Sequence, residues 1–280
     1  MNFLVRRDGA FGDVLLTTPI MRRLRTENPN ALIAVLTSYP GVFAANPDID
    51  WAGVSANPGH YDRVIDLNGA YEKRLRRVHP VDAYMEETFG DCAGDKTVVL
   101  ARAEVPDLGI DWGRAIVIHP ARSWRNRTLS VAFWTETARH IASAGYVPAV
   151  IGTAREPQIE GAKDARGGTP QQQATMIQAA CAFVGSDSGV LGGLLPATDT
   201  PAVGLLTIST GAVCAPYRHG ELGWRFRTIA ARVPCYGCGL RMSEPTTEFG
   251  CERGDYACVE AFDAQEVAAA AIAMAALGRA

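Results

Sequence analysis

Residues 3–19 read FLVRRDGAFGDVLLTTP. The apolar run Phe3-Leu4-Val5 has the make-up of a buried strand, Gly9 and Gly12 punctuate a turn that carries Asp8 and Asp13, and a helix-like segment ending in basic residues follows. The turn lacks the G-x-G-x-x-G spacing of a dinucleotide fingerprint, and a carboxylate at position 13 is a poor neighbour for a diphosphate. Held at a helix N-terminus, a carboxylate stays ionised, because free N–H groups and the positive end of the helix dipole favour its charge. An ionised carboxylate fixed in a cleft suits a general base. The local sequence fits equally well a residue that only satisfies backbone donors.

The strand-then-helix alternation continues. Short apolar or β-branched runs at 3–5, 32–36, 63–66, 115–119, 147–151, 182–184 and 202–206 are separated by several helix-period segments. Continuous apolar strands with helical crossovers predict an α/β protein with parallel sheets covered on both faces, in two Rossmann-like halves. The Pro/Gly/Asp-rich stretch VPDLGIDWG at 105–113 marks the boundary, giving domains of 1–110 and 111–280. With 280 residues, 48% of them hydrophobic, the chain can bury two ordinary cores.

In the second half, the strand 115–119 stops at Pro120, and a loop with Arg122, Arg125 and Arg127 leads to a helix N-capped by Ser130 and stopped by Gly145. Further on, Gly185-Ser186-Asp187-Ser188-Gly189 joins the carboxyl end of a strand to a short helix from about Gly189. Free N–H groups and a positive helix end meet at such a turn, so the phosphate cradle belongs here rather than at Gly9–Asp13.

Three blocks, RRDGAFGDVLLTTPIMRRLRTENPNALIAVL, HPARSWRNRTLSVAFWTETARHIASAGYVPAVIGTAREP and VGSDSGVLGGLLPATDTPAVGLL, occur in this order and cover about a third of the chain. Together they resemble the signatures of glycosyltransferase family nine, the ADP-heptose heptosyltransferases. The resemblance implies a GT-B fold, with the acceptor on the N-terminal side of a cleft and the nucleotide-sugar on the C-terminal side. It implies that Asp13 is the catalytic base, that Asp187, Ser188 and Gly189 meet the donor diphosphate, and that Arg127 stands where the family usually has a lysine before Trp-Pro. That Trp-Pro is replaced by Thr128-Leu129, but an arginine can fork two diphosphate oxygens where lysine is a point charge. Arg125 and His119 are further candidates for the phosphates, and Glu156 for the nucleoside. Gly192 replaces a histidine that several heptosyltransferases carry three residues after the turn glycine, which leaves the donor sugar open.

The expected activity is inverting transfer of a sugar, heptose above all, from a nucleoside-diphosphate donor such as ADP-heptose to an acceptor hydroxyl of lipopolysaccharide or another glycoconjugate. A non-heptose donor with a protein or nucleobase acceptor stands as an alternative, as does a catalytically silent binding or scaffold protein. A dehydrogenase is disfavoured because no G-x-G-x-x-G is followed by an acidic residue about 20 positions on. No Ser-His-Asp hydrolase can be assembled around Ser188, which lacks a G-x-S-x-G elbow.

Seven cysteines are expected as thiols or ligands rather than disulfides. Cys235, Cys238, Cys251 and Cys258 form C-x2-C-x12-C-x6-C, whose thiolates suit a closed structural zinc or iron site with no position open to substrate. Some family nine enzymes, notably the autotransporter type, resemble this in carrying a metal-binding cysteine finger; no catalytic metal is expected. Charge is near balance, at 27 basic and 30 acidic side chains, so no nucleic-acid partner is indicated. No run approaches the roughly 18 apolar residues of a membrane span, and a cytoplasmic protein is expected. The Ala-rich stretch from Ala264 predicts a packed terminal helix, with peripheral membrane contact left open, and the sequence is silent on oligomeric state.

Overall fold

The computed structural model describes residues 1–74, 77–121, 124–240 and 250–277. Two parallel sheets form from the two halves of the chain. The first contains β1 (Asn2–Arg6), β2 (Leu32–Leu36), β3 (Trp51–Gly53) and β4 (Arg63–Asp66) in the order β3-β2-β1-β4. Helices α1 (Phe11–Leu15) and α2 (Thr18–Glu27) join β1 to β2, and α3 (Pro80–Phe89) follows β4.

The second sheet is built from β5 (Ala115–His119), β6 (Val147–Val150), β7 (Lys163–Asp164), β8 (Ala182–Ser186), β9 (Ala202–Leu206) and β12 (Phe226–Ala230), in the order β12-β9-β8-β5-β6-β7. Between these strands lie α4 (Val131–Ser143), α5 (Pro170–Ala179), α6 (Gly211–Cys214) and a small antiparallel pair, β10 (Tyr217–Arg218) with β11 (Glu221–Leu222); α7 (Ala264–Leu277) closes the order of elements. Ser130 caps α4 as its position suggests, its hydroxyl accepting from the Phe133 amide at 3.1 Å. The Ala-rich α7 packs with α4 on one face of this sheet, burying Val267, Ala271 and Met274 against Trp134, Ile141, Ile118 and Leu205. Among the described residues no helix is long and apolar enough to cross a membrane.

The second sheet is covered on both faces, and β5, β8 and β9 are buried throughout. The first departs from that expectation. Phe3, Val5, Ile33 and Val35 pack into a core with Ile20, Met21 and Leu24 of α2 and Val81, Tyr84 and Met85 of α3. On the opposite face Leu32, Trp51 and Val64 remain 42%, 39% and 42% exposed. The reason lies in the crossovers: β2 to β3 and β3 to β4 run through short 3-10 turns at Pro40–Phe43 and Pro58–His60, which supply no helix to cover that face.

Each sheet starts in its middle. The chain moves outward from β1 to β2 and β3, then returns to place β4 on the other side of β1; it moves from β5 to β6 and β7, then returns to place β8 beside β5. At such a reversal the loops leaving adjacent strands diverge and open a crevice at the carboxyl ends. The two crevices face each other because the halves touch backbone to backbone at Gly12 in α1 and Gly193 in a π-helical turn, Val190–Leu194. A Cβ on Gly193 would lie 2.4 Å from the Gly12 Cα, and one on Gly12 would lie 3.1 Å from the Gly189 carbonyl oxygen. Behind this contact, Tyr217 donates to Asp82 at 2.9 Å and the Lys96 ammonium pairs with the same carboxylate at 2.6 Å, tying α3 to the second half.

A single added methyl group would therefore force the halves apart. Gly193→Ala is expected to cost about 1–3 kcal/mol of unfolding free energy, the range for overpacked sites. Denaturant titration measures it, and a loss below about 0.5 kcal/mol, the scale of neutral surface changes, would show that the contact is not this close in solution.

Candidate active site

The turn after β1 is shaped by Gly9, whose φ of +117° disfavours a side chain, and α1 then begins at Phe11. Asp13, third in that helix, accepts from the Ala10 amide through Oδ2 at 3.2 Å and is 36% exposed. Its Oδ2 lies 3.7 Å from Nη2 of the buried Arg7. Asp8, for which the sequence offers no role, accepts from the amide and hydroxyl of Ser38 at 2.9 and 3.1 Å, so it ties the turn to the loop after β2.

Across the crevice, β8 ends at Ser186 and the chain turns through Asp187-Ser188-Gly189. Asp187 is buried: its amide bonds to the Leu205 carbonyl at 3.0 Å, and its carboxylate accepts from the Ser209 hydroxyl, lies 3.8 Å from Arg127 Nε and takes a long contact from the Cys214 thiol at 3.7 Å. Ser188 accepts from the Leu191 amide at 3.2 Å, which leaves its hydroxyl proton for His119 Nδ1, also 3.2 Å away. Arg127 lies over the Trp124 ring, 3.8 Å from its centroid.

Asp13, Arg127 and the Asp187-Ser188-Gly189 turn line one cleft of about 350 Å³. Ala10, Asp13, Leu16, Tyr71 and Glu72 form its N-terminal wall; Trp124, Arg127, Asp187, Ser188, Gly189, Gly192, Ser209 and Cys214 are on the C-terminal side. A cleft between two halves, with a guanidinium and a strand-to-helix turn on one wall and a half-exposed carboxylate on the other, has a place for an anionic group and a base within one volume. Nothing lies within 4 Å of where a Gly192 Cβ would point, so the missing histidine leaves open space there.

Three sequence candidates stand outside this wall. His119 ends β5 and is buried, serving Ser188 from behind; burial pushes its imidazole down to about 4, so it is neutral near pH 7. Glu156 folds back over Gly152 and accepts from the Thr153 hydroxyl at 2.5 Å. Arg125 is exposed and lies over the Tyr256 ring at 4.1 Å, because two steps along a 3-10 turn, Arg125–Arg127, carry it away from Arg127. Arg122 lies outside the described residues.

The cysteine-rich loop abuts the cleft. Gly237 and Gly239, flanking Cys238, donate to the Thr207 and Ile208 carbonyls at 3.1 and 2.9 Å, while the Cys258 thiol sits 3.8 Å from the Asn126 carbonyl. None of the seven cysteines is in a disulfide. Burial, and the nearby Cys238, Cys235 and Cys251, push the Cys258 thiol up to about 11. Four soft donors in one neighbourhood suit zinc or iron, yet among the described residues no three His, Cys, Asp or Glu side chains form a cage. Residues 241–249, between the second and third cysteines, lie outside the described set.

Neither a protein-family model nor a curated protein sequence matches the chain. Solved structures do. A glycosyl transferase family 9 protein from Veillonella parvula DSM 2008 superposes with a TM-score of 0.75 at 17% identity, over 99% of this chain and 97% of that one. The chain has the GT-B fold of that family. An iron-containing dodecameric glycosyltransferase from enterotoxigenic E. coli H10407, also solved with ADP-D-beta-D-heptose, matches at 0.76 and 17% identity over 98% of this chain and 78% of that one. The ADP-heptose lps heptosyltransferase II of E. coli matches at 0.69 and 15% identity, over the whole of both chains.

The buried imidazoles make stability depend on pH. His79 caps α3, its Nδ1 accepting from the Val81 amide at 3.2 Å while Nε2 donates to the Ala215 carbonyl at 3.1 Å, and burial pushes it, like His119, down to about 4. Between pH 6.5 and 4 the unfolded chain binds protons at both sites that the folded chain refuses, so stability is full above pH 6.5 and falls as the pH drops towards 4. The urea midpoint is expected to decline across that interval and His119→Asn to flatten part of the slope; an unchanged slope in the variant would contradict a neutral buried His119.

Proposed function

We propose that the chain is a glycosyltransferase that moves a sugar from a nucleoside diphosphate to an acceptor hydroxyl, with inversion at the anomeric carbon. One observation carries the reading: Asp13 and the Asp187-Ser188-Gly189 turn, distant in sequence, line one cleft from opposite walls. The fold shared with family 9 structures supports it, and the neighbour solved with ADP-D-beta-D-heptose favours ADP-heptose as the first donor to test.

In this reading the diphosphate lies against the backbone amides at Ser188 and Gly189, with Arg127 over its oxygens. Asp187 takes no proton; it fixes the guanidinium of Arg127 and, through Ser209, the strand-end loop beside it. The acceptor hydroxyl enters from the N-terminal wall, Asp13 Oδ takes its proton, and the oxygen attacks the anomeric carbon as the C–O bond to the diphosphate breaks. Negative charge then builds on the leaving diphosphate, where preorganised donors stabilise it; such electrostatic stabilisation is usually the largest catalytic contribution. His119, neutral and bonded to Ser188, orients the turn, and Glu156 and Arg125 are assigned to the nucleoside and to the loop carrying Arg127, respectively.

The four clustered cysteines are proposed to hold a structural zinc or iron ion, whose chemistry there would be cross-linking of the loop. The acceptor is a glycan or another hydroxyl compound, and the protein acts in the cytoplasm.

Asp13→Ala is expected to lower kcat by about 10²–10⁴-fold, the usual contribution of a general base, while the donor Kd stays within about twofold. Arg127→Ala should instead raise that Kd, by about tenfold for a lost charge-assisted contact. Isothermal titration with ADP-heptose beside turnover assays separates the two; loss of donor binding in the Asp13 variant would contradict these roles. Elemental analysis of the purified protein should find about one equivalent of zinc or iron that disappears in Cys258→Ser, and wild-type protein free of both metals would rule out the proposed ion.

A further inference from the structure

We propose that Arg7 is the positioning residue of this cleft, a buried clamp that fixes the Asp13 carboxylate, with Glu72 holding the clamp in place. The inference rests on the reading of Asp13 as the base.

Arg7 follows β1 directly and stands at the reversal between β1 and β4. Its amide donates to the Leu36 carbonyl at 3.1 Å, which sets the start of its side chain. The residue is 3% exposed. Nη1 donates to the Leu67 carbonyl, just beyond β4, at 3.2 Å, and to Glu72 Oε2 at 3.4 Å; Nη2 donates to Glu72 Oε1 at 2.9 Å and lies 3.7 Å from Asp13 Oδ2. Its Cζ is 5.3 Å from the centroid of the buried Tyr84 ring on α3. Both carboxylates line the cleft, and Arg7 is not among the residues that do.

Burying a guanidinium is expensive unless it is paired, so its position is dictated by the carboxylates it serves. Glu72 takes the short contacts and anchors the fork, whereas Asp13 stands at the longer distance and lines the cleft. The planar fork matters because one nitrogen faces both carboxylates while the other is spent on Glu72 and Leu67. A lysine carries the charge but cannot reproduce that geometry. The other titratable or charged groups facing this trio among the described residues are Tyr71 and Tyr84 on its own side and Asp187 and Arg127 across the cleft.

The test is a series at position 7 in the full-length protein. Arg7→Met should lower kcat by about 10²-fold, the scale of a small misplacement of a reacting group, and leave the ADP-heptose Kd within about twofold. Because a cation beside the carboxylate is lost, the acid limb of the kcat profile should also move to higher pH. Arg7→Lys should bring the limb back and recover only part of kcat. A loss of kcat with an unmoved limb, an equal rise in Kd, or no loss would each overturn the proposal. Should Arg7→Met fail to fold, Glu72→Gln carries the test: kcat is expected to fall about tenfold at unchanged Kd, and unchanged kcat sinks the clamp.

A crystal structure of Arg7→Met separates this from the reading beneath it. Asp13 displaced from the Ala10 amide upholds the clamp, even if the wild-type protein transfers no sugar and the transferase reading falls. Asp13 unmoved overturns the clamp whatever the activity.

Discussion

The contact of Gly12 with Gly193 is the constraint on which the rest of the site depends. The two sheets could each fold with their own crevice and still make no shared cleft, because the Asp13 carboxylate and the Asp187-Ser188-Gly189 turn would then line separate volumes. Backbone-to-backbone approach removes the side chains that would hold the halves apart, and the hydrophobic core around it is shared: Phe3, Val14 and Leu15 from the first half belong to one cluster with Val117, Leu191 and Leu206 from the second. Interiors packed to crystal density transmit small displacements, so the separation of Asp13 from the Asp187 turn is set here.

From that contact the chemistry follows by position in the fold. Reversal of strand order creates a crevice at β1/β4 and another at β5/β8, and the residues leaving those strands populate both. On the first side Arg7, Asp13 and Glu72 make a charged group whose cation is buried and whose carboxylates face the cleft. On the second side Asp187 and Arg127 both line the cleft, Asp187 being the more buried of the two and Arg127 the more accessible. The pattern is the same in both: a more buried charge orients a more accessible one of opposite sign, the arrangement that keeps a reactive side chain in one geometry.

Much of this was legible in the sequence, and what escaped did so for physical reasons. The apolar runs at 32–36, 115–119 and 202–206 coincide with strands inside their sheets, where parallel strands are apolar, whereas 63–66 coincides with the edge strand β4, in which only Ile65 is buried. Strand β12, FRTIA, hid because it lies at the sheet edge and carries polar residues, and β3 is only three residues long. The short helix expected from Gly189 proved to be a π-helical turn at Val190–Leu194, the form in which Gly193 meets Gly12. Asp13 and Asp187 were recognisable from their turns. Arg7, Glu72 and the Asp8–Ser38 tie were not, since their partners are 65 and 30 residues away and no local pattern encodes such pairs. Residues 125 and 127 looked alike in the sequence, and only the three-residue pitch of their turn sends them to different neighbours.

The most direct measurement of the central claim is a crystal structure of the protein with ADP bound. The expected result places the diphosphate oxygens within about 3 Å of the Ser188 and Gly189 amides, with Arg127 against them and the open end of the diphosphate facing Asp13. A nucleotide bound outside this cleft, or with its diphosphate turned away from the Asp187-Ser188-Gly189 turn, would contradict the account.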